Sequence, residues 1–120
     1  MEFSFDDGRP IWPQLAEQIT ERILLRVYPP GTRLPSVRDL AMEAGVNPNT
    51  MQRALASLET DGLVTTNRTS GRIVTQDEET LEKMRRQYAR AHIERYFNAM
   101  AKIGYTRENA IKLIVESEEG

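Results

Sequence analysis

The sequence predicts a mainly α-helical chain with one small β-hairpin, and three observations carry that prediction. Apolar residues recur at helical spacing in five stretches broken by proline, glycine and asparagine. Two of these stretches, 36–44 and 48–60, are short and separated only by Gly45-Val46-Asn47. Behind them come two β-branched runs, 63–66 and 72–75, joined by a polar loop that ends in Gly71. Two short helices joined by a tight turn and followed by a two-stranded wing make a winged helix-turn-helix, an element that lays its second helix in a DNA groove. Residues 76–120 then add a two-helix C-terminal region, so the expected domains are 1–75 and 76–120.

The opening residues 1–9 read as an arm in which Phe3 and Phe5 alternate. Glu2, Asp6 and Asp7 would repel phosphate, which favours packing of the arm on the core over contact with DNA. A first helix is expected from about residue 13 to 26, with Pro13 near its start. Trp12, Leu15, Ile19, Ile23 and Val27 form its apolar stripe. Pro29-Pro30-Gly31 turns the chain, and Thr32-Arg33-Leu34 can add a short strand beside the wing.

Leu34-Pro35 holds the backbone extended before the second helix. Ser36 caps that helix, with Asp39 three residues on in a capping box. Val37, Leu40, Ala41 and Ala44 share its inner face, and Gly45 suits the left-handed exit. Asn47 caps the third helix and Pro48 occupies its first position, where a missing N–H costs nothing. Met51, Ala54, Leu55 and Leu58 face inward, leaving Asn49, Thr50, Gln52 and Arg53 outside, where a recognition helix carries its base-reading side chains. In the hairpin, residues 67–71 form the loop, with Arg68 near its tip and Gly71 suited to a positive φ.

From residue 75 to Gly104 one long helix is expected, capped by Thr75 with Glu78. Leu81, Met84, Tyr88 and Ala91 make one stripe, which Ile93, Tyr96, Phe97, Met100 and Ile103 continue with a sideways shift. Thr106 caps a last helix, about 107–115, with Ala110, Ile111, Ile114 and Val115 apolar. A segment of this size cannot make a core alone. A symmetric second copy is the economical partner, because most soluble oligomers are two-fold dimers. Leu81, Met84, Tyr88, Ala91, Tyr96, Phe97, Met100, Ile111 and Ile114 are the candidate dimer interface.

Composition narrows the classes. A hydrophobic fraction of 39% and a net charge of −2 describe an ordinary soluble globular chain. The charge does not advertise nucleic acid: residues 1–75 hold eight arginines against nine acids, and 76–120 hold eight basic against nine acidic groups. Affinity for DNA therefore has to rest on local placement, as in 64–72, which carries Arg68 and Arg72 and no acid. The absence of cysteine removes disulfides and thiolate chemistry and is compatible with a reducing cytoplasm. The acidic opening lacks the features of a signal peptide, and no apolar run approaches the ~18–20 residues a bilayer requires. The expected location is cytoplasmic, with no membrane partner.

Leu-Pro-Ser-x-Arg-x-Leu-Ala at 34–41, Gly-Val-Asn-x-x-Thr at 45–50, and Ala-Leu-x-x-Leu-x-x-x-Gly-Leu-Val at 54–64 together resemble the GntR family of bacterial transcription regulators. Pro10-Ile11-Trp12-x-Gln14-Leu15 and the Gly71 wing fit the same pattern, although family members commonly have tyrosine where Trp12 stands. The Asn-Pro-Asn-Thr version is similar to the YtrA-type subfamily, and that resemblance implies a short dimerising tail. It also implies a DNA-contacting arginine at Arg38, favouring a phosphate clamp there over a solvated pair with Asp39 or Glu43. Relatives often carry a guanine-reading arginine directly after the helix cap. Here Pro48 takes that place, so Asn49, Gln52 and Arg53 must supply the specificity. Gln52 or Asn49 suits adenine, and Arg53 suits guanine or phosphate. Thr50 is open between phosphate contact and backbone capping, and Asn47 between DNA contact and its cap. Arg68 reads as a minor-groove or phosphate contact, with Arg72 the lesser candidate.

The resulting expectation is a sequence-specific DNA-binding transcription regulator, a repressor acting as a homodimer on a palindromic operator in double-stranded DNA. The alternative is a winged helix used for protein–protein contact or architecture. An enzyme would need a nucleophile–base pair or a metal cluster, and with one histidine and no cysteine none is visible. No cofactor or metal is expected. A small-molecule effector would have to act through the long helix, where Arg85, Tyr88, Arg90, His92, Arg95 and Tyr96 are the nearest candidates, and no effector site is assigned.

Overall fold

In the computed structural model, which describes residues 1–119, the elements run α1 (Ile11–Leu24), α2 (Val37–Ala44), α3 (Pro48–Thr60), β1 (Val64–Asn67), β2 (Gly71–Val74), α4 (Glu78–Ala101) and α5 (Arg107–Glu119). The expected mainly α fold with a hairpin wing is the one observed. Contacts divide the chain into two units, Met1–Glu82 and the residues from Lys83 on, so the first turn of α4 belongs to the first unit.

The core of the first unit is built from one face of each helix. Leu15, Ile19 and Ile23 of α1, Leu40 and Ala41 of α2, and Met51, Ala54, Leu55 and Leu58 of α3 are all buried. Each large side chain among them contributes about 1.5–3 kcal/mol on burial. Helix α1 packs on α3, which also carries α2 and meets β1. Leu34, Leu63, Val64, Val74 and Leu81 close the core from the wing side.

The wing pairs antiparallel, with Val64 opposite Val74 and Asn67 opposite Gly71. The expected short strand is present as a single bridge, Arg33 opposite Ile73. Leu34 N donates to Arg72 O and Val74 N to Thr32 O, both at 2.9 Å. At the turn, Asn67 Oδ1 accepts from Thr69 N and Thr69 Oγ1, each at 3.0 Å.

Helix boundaries differ from expectation for local reasons. Helix α1 begins at Ile11, two residues early, which leaves Pro13 inside the first turn where its missing N–H still has no intrahelical role. It stops at Leu24 because Arg26 turns left-handed, φ 63°, and Val27 N donates back to Arg22 O at 2.8 Å. Val27 thereby leaves the apolar stripe and is exposed. Helix α4 begins at Glu78, and its cap is Asp77, not Thr75. Asp77 Oδ1 accepts from Glu79 N at 3.1 Å, while the backbone N–H of Thr75 is engaged by the wing through Leu63 O. Helix α5 runs on to Glu119, past the expected end, since nothing between 115 and 119 breaks it.

The arm packs on α1 through side chains four residues apart. Gln14 accepts from Asp6 N and donates to Asp6 O, and Gln18 does the same for Ser4, at 2.6–3.0 Å. Arg22 donates to Met1 O at 2.8 Å with its guanidinium 3.8 Å from the Phe3 ring. From Asp6 to Ser4 the arm moves two residues while α1 moves four, and two extended residues advance about as far as one i, i+4 step of a helix, ~6–7 Å, so this step keeps register.

Within the second unit, α4 and α5 form a hairpin. The Tyr96 hydroxyl donates to Ala110 O at 2.7 Å, and Ala110 is fully buried. Arg107 pairs with Glu94 at 2.7 Å and lies 4.5 Å from the Phe97 ring centroid. The hydrogen bond from Arg107 holds the Glu94 carboxyl below its ordinary pKa. Thr106 Oγ1 caps α5 by accepting from Asn109 N at 3.1 Å.

Candidate nucleic-acid interface

The helix-turn-helix is set by its caps. Ser36 Oγ accepts from Asp39 N at 3.0 Å, and Gly45 leaves α2 at φ 68° with Val46 N returning to Ala41 O. Asn47 Oδ1 accepts from Asn49 N at 2.7 Å, so its carbonyl oxygen is committed to the cap and only its amide N–H groups remain for DNA. At about 100° per residue, Asn49, Arg53 and Ala56 point away from Met51, Leu55 and Leu58, with Gln52 on one flank and Thr50 on the other. Asn49, Gln52 and Arg53 are exposed and Thr50 is half-buried. Arg53 stacks on the ring of Trp12, 4.6 Å from its centroid.

Charge placement resolves the acidic composition. Of the eight arginines in 1–75, Arg9 pairs with Asp6, Arg22 with Glu43 and Arg26 with Glu78. Arg33, Arg38, Arg53, Arg68 and Arg72 have no carboxylate partner among the described residues. These five belong to the helix-turn-helix and to the wing with the segment that bridges to it. Glu43, one of the acids the sequence offered to Arg38, is held instead by Arg22 at 2.9 Å. Burial works against the Arg22 charge, but the Tyr28 hydroxyl and the Glu43 carboxylate outweigh it and raise its pKa above the ordinary value. Arg22 thus keeps an acid of α2 neutralised, and Arg38 is exposed with no carboxylate partner among the described residues.

On the wing, Arg68 is exposed near the tip and Gly71 has φ 75°. A Cβ at Gly71 would stand 3.3 Å from Arg33 Nε, so Arg33 lies along the glycine. The sequence placed Arg33 on its strand without marking it as a site residue. The only signal available was its position opposite the wing. Arg72 is half-buried, and its Nε is buried without a hydrogen-bond partner among the described residues, which leaves its terminal nitrogens for any outside contact.

The tail residues divide by exposure. Leu81 and Met84 are 1% and 9% exposed, so their side chains are covered within the single chain. Tyr88, Tyr96, Phe97 and Met100 are half-buried, and the Tyr96 hydroxyl is used inside its own hairpin. Ala91, Ile111 and Ile114 are exposed, and so are Ile93, Ile103 and Val115. Among the described residues no cluster of acids and histidine could hold a metal, and no helix is long and apolar enough to cross a membrane.

Comparison with known proteins places this geometry. The family model "Bacterial regulatory proteins, gntR family" matches residues 13–74. The HTH-type transcriptional regulator YhcF of Bacillus subtilis is 33% identical over 120 residues, covering 100% of this chain and 99% of that protein. The HTH-type transcriptional repressor YtrA of Bacillus subtilis is 38% identical over 71 residues, 59% of this chain and 55% of that protein. A solved GntR family transcriptional regulator from Listeria monocytogenes superposes with a TM-score of 0.84 at 35% identity, covering 93% of this chain and 98% of that one. From the cap at Ser36 to the wing at Gly71, the chain belongs to the GntR family and is a helix-turn-helix transcription regulator that binds DNA, not an enzyme.

Proposed function

We propose that the chain is a homodimeric transcription repressor of the cytoplasm that reads a palindromic operator, with residues 1–75 as the reader and 76–120 as the dimerisation region. The observation that carries the proposal is the sorting of arginines: those on the arm, on α1 and in the turn after it are paired with acids, and those on the helix-turn-helix and the wing have no carboxylate partner among the described residues. An array of uncompensated guanidinium groups beside an exposed polar helix fits a phosphate backbone with base edges between its strands. In this assignment Arg38, Arg68, Arg72 and Thr50 position the protein on phosphate or minor groove. Asn49, Gln52 and Arg53 read bases, Asn47 holds the start of α3, and Gly71 shapes the wing.

The homodimer rests on Ile93, Ile103, Ile111, Ile114 and Val115, each at least half exposed on the α4–α5 hairpin. An apolar surface of that kind favours a partner, and a two-fold copy would supply a second reading head. A repressor role accords with the name of the YtrA relative. Selection of bound duplexes from a random pool tests the assignment. A palindromic consensus is expected, its half-sites one helical turn or a multiple apart. A consensus without two-fold symmetry would overturn it.

A further inference from the structure

We infer that Trp12 is a positioning residue for DNA recognition, the indole platform that holds the Arg53 guanidinium ready on the outer face of α3. The inference rests on the reading of α3 as the DNA-facing helix. Trp12 lies in the first turn of α1, half-buried, and α1 packs on α3. The Arg53 guanidinium carbon stands 4.6 Å from the ring centroid. No acid among the described residues competes for that guanidinium.

The chemistry of the stack suits a preorganised contact. A guanidinium is planar and weakly hydrated, and it meets an aromatic ring with its face. Its N–H donors lie in the plane and stay available at the edge for a phosphate or for guanine O6 and N7. An unsupported arginine on a helix surface samples many rotamers and must give them up on binding. Stacking on Trp12 removes part of that freedom in advance and fixes the direction in which the donors emerge. A lysine at 53 would keep the charge and lose the platform, and an alanine at 12 would keep the charge and lose its aim.

The test is a double-mutant cycle in the full chain, with binding measured on a duplex selected by the wild-type protein. Trp12→Ala should weaken binding by about two- to fivefold per half-site, the factor that corresponds to an exposed cation–π contact. Trp12→Phe should recover most of the loss, since the ring face remains. Trp12→Ala added to Arg53→Ala should cost nothing further. Trp12 is the chain's single tryptophan, so Arg53→Ala should also shift its emission in the free protein. Additive losses, an unchanged emission, or a Trp12→Phe defect as large as Trp12→Ala would overturn the platform while leaving the DNA reading of α3 intact. Arg53→Ala with full affinity would remove Arg53 from the interface and the inference with it. Should Trp12→Ala fail to fold, Trp12→Phe and Arg53→Lys decide: the first must bind well and the second must bind weakly.

Discussion

Arg38→Ala should reduce the salt dependence of operator binding, and the structure sets the size of the effect. Arg38 is exposed, and Glu43, one of the acids the sequence offered it, is held by Arg22 at 2.9 Å. Its charge is therefore available to a phosphate without first breaking an internal pair. Each phosphate contact adds about 0.9 to the slope of log K against log salt, so a dimer should lose a slope of roughly 1.8. At 0.15 M salt that is about fivefold in affinity per contact, or about thirtyfold for two. The assay is fluorescence anisotropy on a selected operator from 50 to 300 mM salt, as a range in which such slopes are about linear. Arg9→Ala is the control, because Arg9 is exposed but already paired with Asp6 at 3.4 Å. An unchanged slope for Arg38→Ala would refute the phosphate clamp. An equal drop for Arg9→Ala would refute the argument from local placement and return the effect to overall charge.

Three further outcomes are expected. Gln52→Ala should relax base preference at one position per half-site by about 1–3 kcal/mol, read by competition with single-base operator variants. A uniform loss across all variants would restrict Gln52 to backbone contact. Ile111→Glu with Ile114→Glu, both at exposed positions, should leave a folded monomer by sedimentation, and a persistent dimer would place the interface elsewhere. Arg22→Met should lower stability in urea by about 1–3 kcal/mol, since it removes bonds to Met1 O, Tyr28 and Glu43 while leaving the half-exposed Glu43 in water. An unchanged midpoint would show that the arm is not fastened there.

Much of the reader was legible in the sequence because its signals are local. Ser36, Gly45, Asn47 and Pro48 each act within a few residues, and the spacing of Met51, Ala54, Leu55 and Leu58 can be counted directly. What was not legible depends on partners far apart in the chain. The pairing of Arg22 with Glu43 spans 21 residues and takes up one of the two acids the sequence offered to Arg38. In the sequence Gln14 is marked only as part of a motif and Gln18 not at all, yet both carry the arm. Arg33 meets Gly71 only once the third strand is laid beside the hairpin. Leu81 and Met84 continue the apolar stripe of the long helix, and periodicity alone cannot distinguish a side chain buried by its own chain from one awaiting a second copy.

Hydroxyl-radical footprinting of the full chain on its selected operator tests the two-headed reader most directly. Two protected patches per strand are expected on one face of the duplex, centred about 10–10.5 base pairs or a multiple apart. A single patch, or protection spread evenly along the duplex, would contradict it.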